Sequence, residues 1–143
     1  MRSYEYRHIV AFAETNFTGN VYFTSHLSWQ GRCREMFVRE HAPELLAELE
    51  RDLVLATVRC NCEYFAELRP FDEIVVRMRL GEQSPGRLTL QFEYVKTDAS
   101  GVAQLIARGE QQIASMRRGA GHELTPIPIP AALRAALLPY GGE

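Results

Sequence analysis

The chain has 143 residues, 46% of them hydrophobic and 24% charged, with a formal net charge of −2. That is enough apolar material for one globular domain over residues 1–143, and no basic or acidic block marks a nucleic-acid partner. Three cysteines, an odd number, argue against a disulfide scaffold, and no apolar run is long enough to cross a bilayer, so a soluble, cytoplasmic protein without membrane contact is expected.

Residues 4–12 alternate well enough for a first strand. The stretch Phe12-Ala13-Glu14-Thr15-Asn16-Phe17-Thr18-Gly19-Asn20 then reads as a polar loop closed by Gly19. A long aromatic-rich helix is predicted from Thr24 to His41, stopped by Pro43, because a residue before proline avoids helical geometry. On it Phe23, Leu27 and Arg34 share a stripe, while Trp29, Cys33, Met36 and Phe37 form a second apolar side. A helix patterned this way is buried on more than one side. A short polar helix, Glu44 to Arg51, is placed as a cap over an edge.

The period then changes from 3.6 to 2. Leu53 to Ala66, Glu73 to Gln83, Arg87 to Thr97 and Val102 to Arg117 are rich in Val, Ile, Leu, Phe and Tyr and read as strands. Turns at Arg69-Pro70-Phe71-Asp72, Ser84-Pro85-Gly86 and Asp98-Ala99-Ser100-Gly101 separate them. One strand, a long helix and four successive strands give an α+β fold, an antiparallel sheet able to curl round a central helix. In the tail, the alternate prolines of Thr125-Pro126-Ile127-Pro128-Ile129-Pro130 favour extended backbone, and Ala131 to Leu138 reads as a short helix. Cys60 and Cys62 share one strand face, and with no second cluster they read as structural thiols rather than metal ligands.

The chemistry concentrates where the loop meets the long helix. A helix start presents unpaired N–H groups and the positive end of the dipole, which suits a developing oxyanion. Asn16 cannot be a general base, but a carboxamide donates and accepts, so it can orient water or fix a carbonyl; the competing reading is a local Asx-type turn before Gly19. Arg34, on an otherwise apolar stripe, must meet a carbonyl, a carboxylate or solvent, either at the site or in an ion pair with Glu35, Glu63 or a second subunit. Glu35 lies too far into the helix to serve as an acid at its start and is read as structural, and Glu14 faces either the pocket or solvent. A serine or cysteine triad is rejected: there is no Gly-x-Ser-x-Gly elbow, and Cys33 lies mid-helix. His8, His26, His41 and His122 are read as surface or packing residues.

The run from Phe12 through Gly19 to Phe23, leading into Leu27-Ser28-Trp29, resembles the active-site loop and helix start of hotdog-fold thioesterases of the 4-hydroxybenzoyl-CoA thioesterase type. In that family the position of Asn16 is usually an aspartate. Asn16 together with Trp29-Gln30-Gly31-Arg32-Cys33-Arg34-Glu35 is similar to the thioesterases that accompany iterative polyketide synthases in enediyne biosynthesis. The resemblance implies a hotdog fold and hydrolysis of a β-keto polyene thioester carried by the phosphopantetheine arm of an acyl carrier protein, with loss of carbon dioxide open to follow. It implies catalytic roles for Asn16, the Phe23 main chain and Arg34, and substrate contacts from Tyr22, Phe17, Thr57 and Tyr64. Tyr22 is also the alternative main-chain donor, and the Phe23 ring is read as core. No cofactor or metal is called for. Homo-oligomers, a dimer and then a tetramer built from two dimers, are expected. An ordinary acyl-CoA thioesterase and a non-catalytic polyene-binding protein remain the alternatives.

Overall fold

The structure, a computed structural model, describes residues 2–142. The elements follow the order β1 (Tyr4–Ile9), a 3₁₀ turn (Phe12–Glu14), α1 (Phe23–His41), α2 (Leu45–Leu49), β2 (Leu53–Tyr64), β3 (Glu73–Gln83), β4 (Arg87–Thr97), β5 (Ala103–Arg118), β6 (Leu124–Pro126), α3 (Ala131–Leu137) and a closing 3₁₀ turn (Leu138–Tyr140). The strands form one antiparallel sheet in the order β1-β3-β4-β5-β2, with β6 paired to β5. This is the α+β hotdog arrangement, with α1 as the filling.

Alternation within the strands decides which side meets the helix. Ile74, Val76, Met78 and Leu80 of β3 and Leu88, Leu90, Phe92 and Tyr94 of β4 point inward and join Trp29, Cys33 and Phe37 of α1 in the core. By register, the opposite face carries a rank of alternating charge across β1, β3, β4, β5 and β2: Glu5, Arg77, Glu93, Arg108 and Glu63. At the far end of α1, Phe37 and Tyr140 pack edge-on around Tyr4, tying the tail to the helix.

Three expectations change. The first strand ends at Ile9, because residues 12–14 turn into a 3₁₀ helix that delivers Glu14 inward. The extended start of the tail goes further than expected: Leu124–Pro126 joins the sheet as a sixth strand, with Met116 paired to Pro126 and Arg117 to Thr125. The packed side of α1 is the Trp29–Cys33–Phe37 side; the Phe23 ring, expected in the core, is 56% exposed. Among the described residues no helix is long and apolar enough to cross a membrane.

Candidate active site

Two loops hold the start of α1. Residues 10–22 are joined to residues 65–72 by the Val21 N–H to the Leu68 carbonyl (2.8 Å), the Phe71 N–H to the Val10 carbonyl (2.8 Å) and the Asn20 amide to Glu67 (3.2 Å). Gly19 adopts φ +90°, which glycine takes without steric penalty. A Cβ there would stand 3.3 Å from the Arg69 guanidinium, so the turn needs glycine for its conformation and its close neighbour.

Glu14 is the anchor of the site. Its carboxylate accepts hydrogen bonds from the Ala11 N–H (2.9 Å) and the buried Trp29 indole N–H (2.8 Å), and it contacts His8 Nε2 at 2.8 Å. Its main-chain carbonyl accepts from the Tyr22 N–H (2.9 Å) and the Ser25 hydroxyl (3.0 Å). Burial alone would raise the Glu14 pKa; the Ala11 N–H, His8 and Trp29 together outweigh it and hold the carboxyl below its ordinary value. Glu14 therefore faces inward and ties the loop to α1. The sequence placed it between pocket and solvent because a partner fifteen positions away leaves no local trace.

These bonds separate the two candidate main-chain donors. The Tyr22 N–H is engaged by Glu14. Tyr22 has φ −69° and ψ 138° and caps α1 without a side-chain bond, and among the described residues the Phe23 N–H has no acceptor. Phe23 thus presents a free donor at the positive end of a nineteen-residue helix. The Phe23 carbonyl is held by the Tyr64 hydroxyl at 2.7 Å. Burial, and to a lesser extent the nearby Cys62, pushes the Tyr64 hydroxyl up to about 12, so it stays a donor at neutral pH.

Asn16 sits in the preceding turn. Its Oδ1 accepts from the Thr18 N–H (3.1 Å) and the Thr18 hydroxyl (2.5 Å), while its main chain closes the turn with Asn20 and Gly19. The local Asx-type geometry is therefore present, and among the described residues it leaves the Nδ2 hydrogens without an acceptor. Thr18 holds the amide so that a donor, not a base, is available.

Arg34 lies elsewhere. Its guanidinium donates to Thr57 Oγ1 (3.0 Å) and Gln111 Oε1 (2.8 Å), between α1, β2 and β5. Neither suggested acid pairs with it: Glu35 meets Arg32 and Glu63 meets Arg108. Burial pulls its pKa below the ordinary guanidinium value, opposed by the Glu35 charge. Eleven residues of helix separate it from Phe23, roughly 16 Å at 1.5 Å per residue, so one chain does not bring Arg34 to the Phe23 N–H. Thr57 is within reach of Arg34 and likewise remote from Asn16 in sequence and fold. The aromatic group is solvent-facing: Phe17 is fully exposed, Phe12 packs edge-on against Phe71 at 5.2 Å, and Tyr22 leans on Phe23 at 4.7 Å.

The arrangement fits a family pattern. A family model described as the thioesterase-like superfamily matches residues 10–137. Among solved structures, the dynemicin thioesterase, whose crystal structures revealed induced-fit and allosteric effects upon polyene binding, is 47% identical, with 99% of each chain covered and a TM-score of 0.93. The 4-hydroxybenzoyl CoA thioesterase from Pseudomonas sp. strain CBS-3 is 19% identical (TM-score 0.80, 95% of this chain and 99% of that one), a likeness of fold. The 1,4-dihydroxy-2-naphthoyl-CoA thioesterase from Synechocystis shares the fold at 20% identity (TM-score 0.80, 95% and 96% covered). No curated protein matches. On the strength of the family match and the full-length relative, the chain belongs to the thioesterase-like superfamily and is a hotdog-fold thioester hydrolase.

Proposed function

We propose that this thioester hydrolase releases a β-keto polyene chain from the acyl carrier protein of an iterative, enediyne-type polyketide synthase. The observation that carries the reading is the free Phe23 N–H at the tip of α1, beside a loop whose acid, Glu14, is already bonded and whose Asn16 offers only an amide donor. The likeness to the dynemicin thioesterase supports the substrate class.

The thioester carbonyl accepts the Phe23 N–H. As water attacks, its oxygen gains negative charge at the positive helix end, and one such donor is worth about 3–4 kcal/mol in a transition state. Asn16 Nδ2 positions the carbonyl or the water. The new C–O bond forms, the C–S bond breaks, and the water proton leaves with the thiol of the phosphopantetheine arm. The released β-keto acid can then lose carbon dioxide, its keto group accepting the electron pair. No step needs a carboxylate nucleophile, a metal or a cofactor.

The working unit in this reading is a homo-oligomer in the cytoplasm, a dimer and then a tetramer. The outer edge of β2, twelve residues long, has no strand beside it among the described residues. An open edge of that length is a template for pairing with another copy. A second chain there is also what would carry Arg34, with Thr57, toward a site that its own chain leaves about 16 Å away.

The test is release of product from loaded carrier protein. Mass spectrometry of a mixture with a polyene-loaded iterative synthase should show free polyenes at many turnovers per protein. Turnover of free CoA thioesters with no gain from carrier delivery would instead favour a general acyl-CoA thioesterase.

A further inference from the structure

Along its sheet-facing side α1 carries three polar heads at i, i+4 and i+8: His26, Gln30 and Arg34. Arg34 is satisfied by Thr57 and Gln111. The other two are deep in the core, His26 3% exposed and Gln30 0%. Both ring nitrogens of His26 and Oε1 of Gln30 lack a partner among the described residues. Gln30 uses Nε2 on the Asn61 carbonyl (3.0 Å). The Tyr94 hydroxyl, close to both, donates to the His26 main-chain carbonyl (2.6 Å). A buried polar group left unpaired costs on the order of 1–3 kcal/mol, and phenylalanine or methionine would fill the same space without that cost.

The unpaired atoms have a definite chemistry and place. Burial holds the His26 pKa below its ordinary value; the Phe23 carbonyl opposes the shift but makes no hydrogen bond with the ring. A neutral imidazole offers one N–H and one lone pair, and Gln30 Oε1 adds a second acceptor. The rings of Tyr64 (4.8 Å), Trp29 (5.0 Å) and Tyr94 (5.5 Å) form the walls. His26 follows Phe23 by three residues, so their side chains start about 5–6 Å apart, and helical side chains lean toward the N-terminus. Tyr64 is the cage's half-exposed member, and its hydroxyl reaches the carbonyl of Phe23, the residue that carries the free N–H.

We propose that His26, with Gln30, receives the oxygen on the β-carbon of the acyl chain, as ketone or enol, while the Phe23 N–H holds the thioester carbonyl. This rests on the thioesterase reading above and names the group that reads the substrate's oxidation state. A ketone accepts the imidazole N–H; an enol also donates to the lone pair or to Gln30. A chain saturated at that carbon would leave the same atoms unpaired. Sites built to bond a substrate oxygen reject analogues that lack it. Arg34 of the same chain is too distant for an oxygen two carbons from the thioester carbonyl.

The experiment compares kcat/KM for 3-oxoacyl and saturated acyl pantetheine thioesters of one chain length, in the wild type and in His26→Phe. In parallel, the ring ¹⁵N signals of His26 in the wild type are followed on adding the corresponding hydrolysis-resistant amides. We expect a wild-type preference of at least tenfold for the 3-oxo thioester and a preference at least tenfold smaller in His26→Phe. The His26 signals should shift with the 3-oxo amide and not with the saturated one. If His26→Phe does not fold, the wild-type spectra decide, and an imidazole indifferent to the 3-oxo amide overturns the assignment. Equal wild-type rates on both thioesters overturn the His26 assignment alone; no turnover of either overturns the thioesterase reading with it.

Discussion

Glu14→Gln separates a structural carboxylate from a catalytic one. Glu14 is two residues from Asn16 and is the acid that a conventional hydrolytic mechanism would recruit. In the structure Oε1 takes the Ala11 N–H and His8, while Oε2 takes the indole N–H of Trp29, which is 2% exposed. Glutamine can keep the first pair through its one carbonyl oxygen. Its NH₂ then faces the Trp29 N–H at 2.8 Å, donor against donor. A buried N–H left unpaired costs about 1–3 kcal/mol, and loss of the charged acceptor at His8 adds about 1 kcal/mol. The expected loss is about 2–4 kcal/mol, or about 6–15 °C in Tm for a chain of this size. The assay is urea and thermal unfolding beside steady-state hydrolysis well below the new Tm, where kcat should stay within a few-fold of wild type. A variant with wild-type stability and abolished kcat would refute the reasoning and make Glu14 the missing acid.

Other outcomes follow from the same geometry. Because the folded pKa of Glu14 is depressed, its stabilising contribution is full above the ordinary carboxylate pKa and is lost as pH falls toward the folded value; Glu14→Gln should flatten that acid limb in a plot of stability against pH. Asn16→Ala should lower kcat while costing no more than about 1–2 kcal/mol of stability, and Asn16→Asp should add a carboxylate ionisation to the pH–rate profile that wild type lacks. Gly109→Ala would put a Cβ 2.2 Å from the Asn61 carbonyl and 2.6 Å from Gln30 Nε2, so it should cost upwards of about 3 kcal/mol or fail to accumulate as folded protein. The buried Cys33 thiol, its pKa pushed up to about 12 by burial, should resist a thiol reagent that labels exposed Cys60, and should react only on unfolding.

The elements were legible because each depends on local pattern. The strand period, the Pro43 stop and the turn at Ser84-Pro85-Gly86 leave little choice, and strand β3 and strand β4 fall on the bounds their residues indicate. What sequence could not supply was partnership across the fold. The Glu14–Trp29 and Arg34–Gln111 bonds join residues whose spacing carries no signal. Nor could it choose the packed side of α1: Phe23 and Leu27 are as apolar as the opposite side, yet the sheet lies against Trp29, Cys33 and Phe37. His26 read as an ordinary packing residue, and only the described neighbours expose its two unpaired nitrogens. Hydrophobicity places the Phe23 ring inside, whereas in a single chain it faces outward.

The most direct measurement compares Phe23→Pro with Phe23→Ala. Proline is tolerated at the first position of a helix, Tyr22 already has the extended backbone that a residue before proline prefers, and the Phe23 N–H makes no bond that folding would miss. Both variants lose the ring; only proline loses the N–H. If that main-chain donor polarises the thioester, kcat for Phe23→Pro should fall about 10²–10³-fold below Phe23→Ala at similar Tm. Equal kcat values in two equally folded variants would contradict the account.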